Sequence, residues 1–467
     1  MLLRCLAICS ILVMAIPASS AQPMTPDQQL AFDVYKELVE INTVTATGDT
    51  QRAAEAMAAR LRAAGFTGSD LQVLSPAPRK GNLVARLRGT GKRKPILLLA
   101  HTDVVDARRE DWSLDPFKLT ERDGYFYGRG TTDNKFMAAA FVTNLIRYKR
   151  EGYVPERDII VVLEADEEVG DAYGVGIRWL LANHRPLIDA EFAINEGGRV
   201  GLKAGKPVWN NVQVAEKVFI SYKLEATDRG GHSSLPTKEN PIYRLAEALA
   251  RLAKFSFPFK LNEITRNFFL RAAELENAQT AADMRAIAAG RPDLDALSIT
   301  RLSTNPLYNA QLRTTCVATQ IDGGHAVNAL PQRASATINC RVLPGEPIAE
   351  VYATLKRVVA DDGVTIAPFG GPVLSTPSAL EGEVMAAIEA LSAEFWPGIP
   401  VIPSMSAAAS DSTYLRNAQI PAFGHSGLAD DVDDFRAHGK DERVPVKSFF
   451  VGQEYLYRLV RMLSGRG

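Results

Sequence analysis

Cysteine is scarce: four in 467 residues, too few for a fold held together by a disulfide framework. Net charge is scarce too. The formal value is -1, and the basic residues are dispersed rather than clustered, which argues against a nucleic-acid surface or any polyanionic partner. Beyond the N-terminal run, no apolar stretch reaches the roughly 20 residues a spanning helix needs. No internal repeat or low-complexity tract is present, which excludes a repeat array. What remains has the apolar, charged, Gly and Pro contents of a soluble globular protein. It is too long for one ordinary core, so two domains are the default.

The N-terminus reads as an export signal. Arg4 supplies the positive start, "CLAICSILVMAI" the apolar stretch, and "PASSA" the small residues, with cleavage expected after Ala21. The alternative is a retained membrane anchor, for which the stretch is short. Residues 1–21 are therefore assigned to a signal peptide and the mature chain to the periplasm or the medium, with no stable membrane anchor after cleavage. Cys9 follows the bulky Ile8, a poor lipoprotein site. The mature chain keeps Cys316 and Cys340, in "TTCVATQI" and "ASATINC". These strand-like runs could be antiparallel neighbours; a disulfide and two buried thiols are both open.

From about 26 to 65, apolar residues recur at helical spacing. "NLVARLRG", "PILLLAH", "DIIVVLEADEE" and "AEFAINEGG" read as strands, with helical patterns between the later ones. That alternation predicts an α/β layer with a mainly parallel sheet over 22–215. Near 215 the character changes. "KVFISYKLEAT" alternates like a half-exposed strand, and "PIYRLAEALARLAKF" is helical, so 216–343 is predicted to be a small α+β domain with a helical excursion at about 258–312. Alternation of the first kind resumes over 344–467, which makes the second domain an insertion into the first.

Chemically unusual residues collect where the strands end. His101 and Asp103 follow "PILLLA"; Asp133 sits between a glycine turn and a helix; Glu167 and Glu168 close "IIVVLEADEE"; Glu196 follows "EFAIN"; His438 lies before the last helix. Ligands bind outside the carboxyl ends of strands in an open α/β sheet, so these residues are candidates for one site.

The text "LLAHTDVV", "GRGTTDNKFMA", "EADEEVG", "INEGG", "RGGHSSLP", "NALP", "NCRVLPGE", "SDSTYLR" and "AHGKDERV" resembles, in this order, the M20 metallohydrolases, with a lean toward the carboxypeptidase S-like branch. The resemblance implies a zinc-exopeptidase-like catalytic domain with an inserted lid or dimerisation domain, and it admits a homodimer. It also implies two zinc ions per chain, with cobalt or manganese as substitutes. Asp133 would bridge the ions, with His101 and Glu196 on one side and Glu168 and His438 on the other. Asp103 would fix the tautomer of His101. Glu167 would be the general base, His232 would stabilise the oxyanion, and Asn328 and Arg341 would bind the substrate's terminal carboxylate. The implied substrate is a small peptide or an N-acyl amino acid. The expected reaction is cleavage of a peptide or N-acyl amide beside a free carboxylate, of carboxypeptidase or dipeptidase type, with an N-acyl-amino-acid amidohydrolase as the alternative. A catalytically inactive binding protein is the alternative from another class, though it should have lost Glu167 or Asp133.

Two departures stand out. Asn195-Glu196 replaces the more usual Asp-Glu, which favours Glu196 as the ligand because an amide is the poorer one. Phe136 stands where relatives commonly have Gly, and is expected to crowd the pocket floor beside Asp133. His184 and His325 read as structural, His425 as a candidate substrate contact, and Asp411 and Arg416 as support for the site.

Overall fold

The computed structural model describes residues 23–170, 173–290 and 292–465; the expected signal segment lies outside them. Four strands, Ile159–Glu164, Ile96–His101, Phe192–Asn195 and Ala422–Gly424, lie side by side and parallel. Every residue of Ile96–His101 and Ile159–Glu164 is buried. Neither run alternates because helices cover both faces, as parallel sheets require. Ile96, Leu98 and Ala100 enter a core shared with the helices Pro26–Glu40, Thr50–Ala63, Lys135–Arg150 and Val446–Ser464. Leu97 and Leu99 enter a second core with Ile177, Leu180 and Leu415. Among the described residues the sheet has ten strands, and its flanks are mixed. The hairpin Leu71–Ala77/Lys80–Leu87 adds antiparallel strands on one side, and Lys206–Glu216 joins antiparallel to Ala422–Gly424 on the other.

The small unit is an antiparallel four-stranded sheet, in the order Thr315–Gly323, Arg333–Val342, Val218–Thr227, Val364–Phe369. Tyr222, Leu224, Ile338 and Cys340 pack beneath the helices Pro241–Lys254 and Ile348–Val359. Sheet and core therefore run on to Phe369, past the boundary expected at 343. Helical periodicity places a helix on a sheet without telling which sheet, and the helix after Pro347 returns to the small one. Cys316 lies directly opposite Cys340 and is bonded to it, S–S 1.98 Å.

The helical excursion forms Glu263–Ala272, Ala278–Ala289, Pro292–Leu302 and Pro306–Leu312. Phe269, Met284, Ile287 and Leu312 share a core with Ile402 of the strand Val401–Ser406, and Trp209 packs against it. The excursion is threaded through the small unit but rests on the flank of the large sheet.

No helix among the described residues is long and apolar enough to cross a membrane.

Candidate metal centre

Three strands of the parallel layer, Ile96–His101, Ile159–Glu164 and Phe192–Asn195, point their carboxyl ends at one spot. His101 is the last residue of the first; Glu167 and Glu168 lie in the turn after the second; Glu196 follows the third. Asp133 arrives just before the helix Lys135–Arg150, and His438 in the loop ahead of Arg443–Pro445.

The five expected ligands meet there. His101 Nε2 is 3.0 Å from Asp133 Oδ1 and 3.2 Å from Glu196 Oε2. His438 Nε2 is 3.1 Å from Asp133 Oδ2 and 2.9 Å from Glu168 Oε2. The two oxygens of Asp133 thus face two separate imidazoles, each with a further carboxylate. Donor atoms of His101, Asp133 and Glu168 lie within 4.8 Å of one another, as do those of His101, Glu167 and Glu196.

The electrostatics are those of a crowded acid cluster. Burial opposes charge on His101, yet the Glu196 carboxylate, with Asp103 and Asp133, holds it well above its ordinary 6.5. Hydrogen bonds to Asp133 and Glu168 raise His438 to about 10. Burial pushes Glu167 well above the carboxylate range, and Glu196 adds to it. A donor set that draws protons this strongly is matched to cations. Glu168 Oε1 is buried without a hydrogen-bond partner, another group a cation would satisfy. The residues therefore fit a pair of divalent ions, with imidazole nitrogens and carboxylate oxygens as ligands and no thiolate.

Asp103 acts differently from expectation. Nδ1–H of His101 donates to the main-chain carbonyl of Asp103 at 3.0 Å, whereas the carboxylate lies 3.6 Å off. The ring is still fixed in one tautomer, but by backbone. The carboxylate instead accepts the N–H groups of Glu167, 3.3 Å, and Glu168, 3.1 Å, and so shapes the turn that presents both acids. At "INEGG", Asn195 turns away, its Nδ2 donating to Ser412 Oγ at 3.0 Å, and leaves Glu196 to the cluster. A Cβ on Gly198 would stand 2.2 Å from Gly424 O, so only glycine lets this loop pass.

Phe136 is not on the pocket floor. Its ring is fully buried against Phe449, centroids 5.8 Å apart, and a Cβ on Gly452 would meet it at 2.8 Å. A glycine in the last helix thus makes room for it. His425 is equally buried, with Nε2 2.8 Å from the Tyr455 hydroxyl, and is a core residue rather than a surface for substrate. Arg416 is paired with Glu216 in the interior. Asp411 is buried too, and burial lifts it to about 8.

The small unit's candidates lie apart from this cluster. His232 is exposed, with Nδ1 2.7 Å from Ser234 Oγ, in a short antiparallel pairing of Gly231–His232 with Ala329–Leu330 that sets it opposite Ala329. Asn328 is exposed beside it, and its main-chain carbonyl accepts from Ser233 N at 3.1 Å. Arg341 lies on Arg333–Val342, its guanidinium 4.8 Å from the centre of the Phe219 ring and its Nη1 buried without a partner.

Residues 97–462 match the model of Peptidase family M20/M25/M40. The chain belongs to the M20 family. Among curated M20 relatives, the probable carboxypeptidase S-like 2 of Dictyostelium discoideum is 29% identical over 376 residues, covering 79% of this chain and 71% of the relative. The N-fatty-acyl-amino acid synthase/hydrolase of Mus musculus is 30% identical over 379 residues, covering 79% and 74%. Among solved structures, an M20 metallo-carboxypeptidase from Sulfolobus solfataricus superposes with TM-score 0.69 at 18% identity, covering 94% of this chain and 99% of that one. Human carnosine dipeptidase 1 does so at 0.60 and 16%, covering 94% and 97%. This M20 chain is accordingly a hydrolytic enzyme, with the family's fold.

Two residues of the same motifs, Arg129 of "GRGTTDNK" and Glu442 of "AHGKDERV", join the loops that carry Asp133 and His438. Glu442 accepts from Thr132 N at 2.7 Å, Gly130 N at 3.0 Å and Asp133 N at 3.2 Å. The signal was present, an acid four residues after His438, but its partners are more than three hundred positions away.

Proposed function

We propose that this enzyme is a two-zinc hydrolase that cleaves a peptide or N-acyl amide bond next to a residue with a free carboxylate. One observation carries the reading: two imidazoles stand on opposite oxygens of one carboxylate, at 3.0 and 3.1 Å, with Glu167 beside His101. His101 and Glu196 would hold one ion, Glu168 and His438 the other, and Asp133 both. A bound ion pair supplies Lewis-acid polarisation of the scissile carbonyl and acidifies water.

The protein's own groups do the rest. Glu167 takes the proton of the attacking water and delivers it to the leaving nitrogen. Asp103 holds the turn that aims Glu167. Arg341 offers a buried, unpartnered Nη1, and its planar fork suits the substrate carboxylate, with Asn328 assisting. His232 donates to the developing oxyanion; it has to approach by closure of the small unit or from a second copy in a homodimer. The Cys316–Cys340 disulfide suits an oxidising compartment, in keeping with export through the signal at 1–21.

The test is turnover by the mature, metal-loaded protein on dipeptides and N-acyl amino acids, with and without chelator. Hydrolysis of carboxylate-bearing amides that chelator abolishes and zinc restores is expected. No chelator-sensitive turnover on any of them would leave a binding protein on a hydrolase scaffold.

A further inference from the structure

We propose that Lys217 is a second cation of the carboxylate-binding site, and that it holds the substrate's terminal carboxylate together with Arg341. The proposal rests on the hydrolase reading above and adds one residue to it.

Lys217 is the single residue between the two sheets. Lys206–Glu216 belongs to the large sheet and Val218–Thr227 to the small one. The main-chain N–H of Lys217 donates to Ser406 O, at 2.9 Å, on the flank of the large sheet. Ser406 lines a recess of about 720 Å³ that Gly197, next to the ligand Glu196, also lines, so the junction and the metal centre border the same space. The side chain of Lys217 turns to the small unit. Its Nζ donates to the carbonyl of Arg313 at 2.7 Å and lies 3.5 Å from Thr315 Oγ1. Thr315 and Phe219 are the residues directly opposite Arg341 on its two neighbouring strands. Directly opposed side chains share a face, and Cys340 and Val342 on either side of Arg341 enter the core. Lys217 Nζ therefore reaches the face that carries Arg341, the one turned away from the helices.

Both cations lack an anion. Lys217 is 2% exposed, and both its acceptors are neutral. Arg341 Nε donates to Asn339 Oδ1 at 3.3 Å, which aims the guanidinium, and its Nη1 is buried without a partner. Among the described residues, Glu346 is the acid whose field reaches Lys217, and it is taken up by Lys260, at 2.8 Å, and by the Thr314 hydroxyl. Burial, and then the charge of Arg341, lower Lys217 to about 7. Like charges held together out of water are costly until an anion joins them. A carboxylate has an oxygen for the fork of Arg341 and another for the ammonium of Lys217. A strut for the end of the excursion at Arg313 would need a donor there, but neither a charge nor a like-charged neighbour.

The experiment pairs each dipeptide and N-acyl amino acid that is turned over with its C-terminal amide. In Lys217→Gln a donor to the Arg313 carbonyl remains and the charge is gone. KM for the free acids should rise about 10–100-fold, the loss of one hydrogen bond to a charged group. The expected kcat stays within about threefold, and the amides are unaffected. In an Arg341→Ala background, Lys217→Gln should cost far less than it does alone, because the two cations share one anion. Lys217→Met, which fills the space without a donor, is measured in parallel, with circular dichroism as the check on folding. An unchanged KM, equal losses on acids and amides, or a full loss on top of Arg341→Ala overturns the proposal and makes Lys217 a strut, while the hydrolase reading stands. No turnover by the wild type on any substrate overturns that reading instead. Calorimetry on the metal-loaded protein then decides for Lys217: the wild type should bind N-acetylleucine in preference to its amide, and Lys217→Gln should not. The same preference in both excludes Lys217.

Discussion

Arg129 and Glu442 form a buried ion pair, Nη1 to Oε2 2.6 Å, that ties together the two loops carrying Asp133 and His438. Glu442 gathers the N–H groups of Gly130, Thr132 and Asp133, while Arg129 Nη2 donates to the carbonyls of His438, 3.3 Å, and Gly439, 3.0 Å. His438 is held at φ 62, a left-handed conformation uncommon outside glycine. The pair is what keeps both loops in register.

Glu442→Gln should therefore weaken the metal site without touching a ligand. Removing one partner of a buried pair typically costs about 3–5 kcal/mol, and loss of a ligand's support lowers metal affinity by about 10–100-fold. Urea unfolding of the metal-free protein reads the first and a competitive chelator titration the second. Unchanged affinity alongside lost stability would make the pair purely structural.

Glu167→Gln separates base from ligand. The expected result is a fall in kcat of about two to four orders of magnitude, with metal content still about two ions per chain. Asp133→Asn, in contrast, should lose metal and activity together. Metal analysis after dialysis decides. A Glu167→Gln protein that retains only one ion would make Glu167 a ligand alongside His101 and Glu196, whose donor atoms share the same 4.8 Å neighbourhood.

The parallel layer and the ligand ends were legible because each depends on local text: a fully buried strand such as Ile96–His101 reads as an unbroken apolar run, and His101 interrupts it. What could not be read is long-range. The helix Ile348–Val359 carries the same periodicity on either sheet, so its place in the small unit appears only with the pairing of Val364–Phe369 and Val218–Thr227. Phe136 looked like an intrusion into the site, since nothing local says that Gly452 has cleared a space for it. Asp103 was aimed correctly at the site, but a sequence cannot distinguish its carbonyl from its carboxylate as the partner of His101.

Arg341→Ala should act on recognition. If Arg341 holds the substrate carboxylate in a buried pair, kcat/KM for substrates with a free carboxylate falls by about 2–5 kcal/mol in transition-state terms. The matching amidated substrates should be affected far less. Parallel kinetics on the two series give the answer; equal losses would restrict Arg341 to packing on Phe219.

His425 should make the protein less stable in mild acid. Its ring is fully buried, with Nδ1 3.2 Å from Asn211 O and Nε2 2.8 Å from Tyr455 Oη. Donation from Nδ1 to the carbonyl leaves Nε2 to accept from the tyrosine, so the neutral ring is fully satisfied. Burial lowers its pKa to about 4, below the roughly 6.5 of an unfolded chain. Between those values the unfolded state binds a proton that the folded state refuses, so stability falls as pH drops through this window and is unaffected above it. The slope is about 1.4 kcal/mol per pH unit, roughly 3 kcal/mol in all. In His425→Gln the group is gone. The variant should be less stable than wild type at pH 7.5, with a gap that narrows steadily from about pH 6.5 downward. Urea unfolding of both proteins in chelator, so that metal release does not contribute, measures the gap. A gap that stays constant down to about pH 4.5 would mean that His425 titrates alike in both states, and that the Tyr455 hydroxyl accommodates an imidazolium as readily as water does.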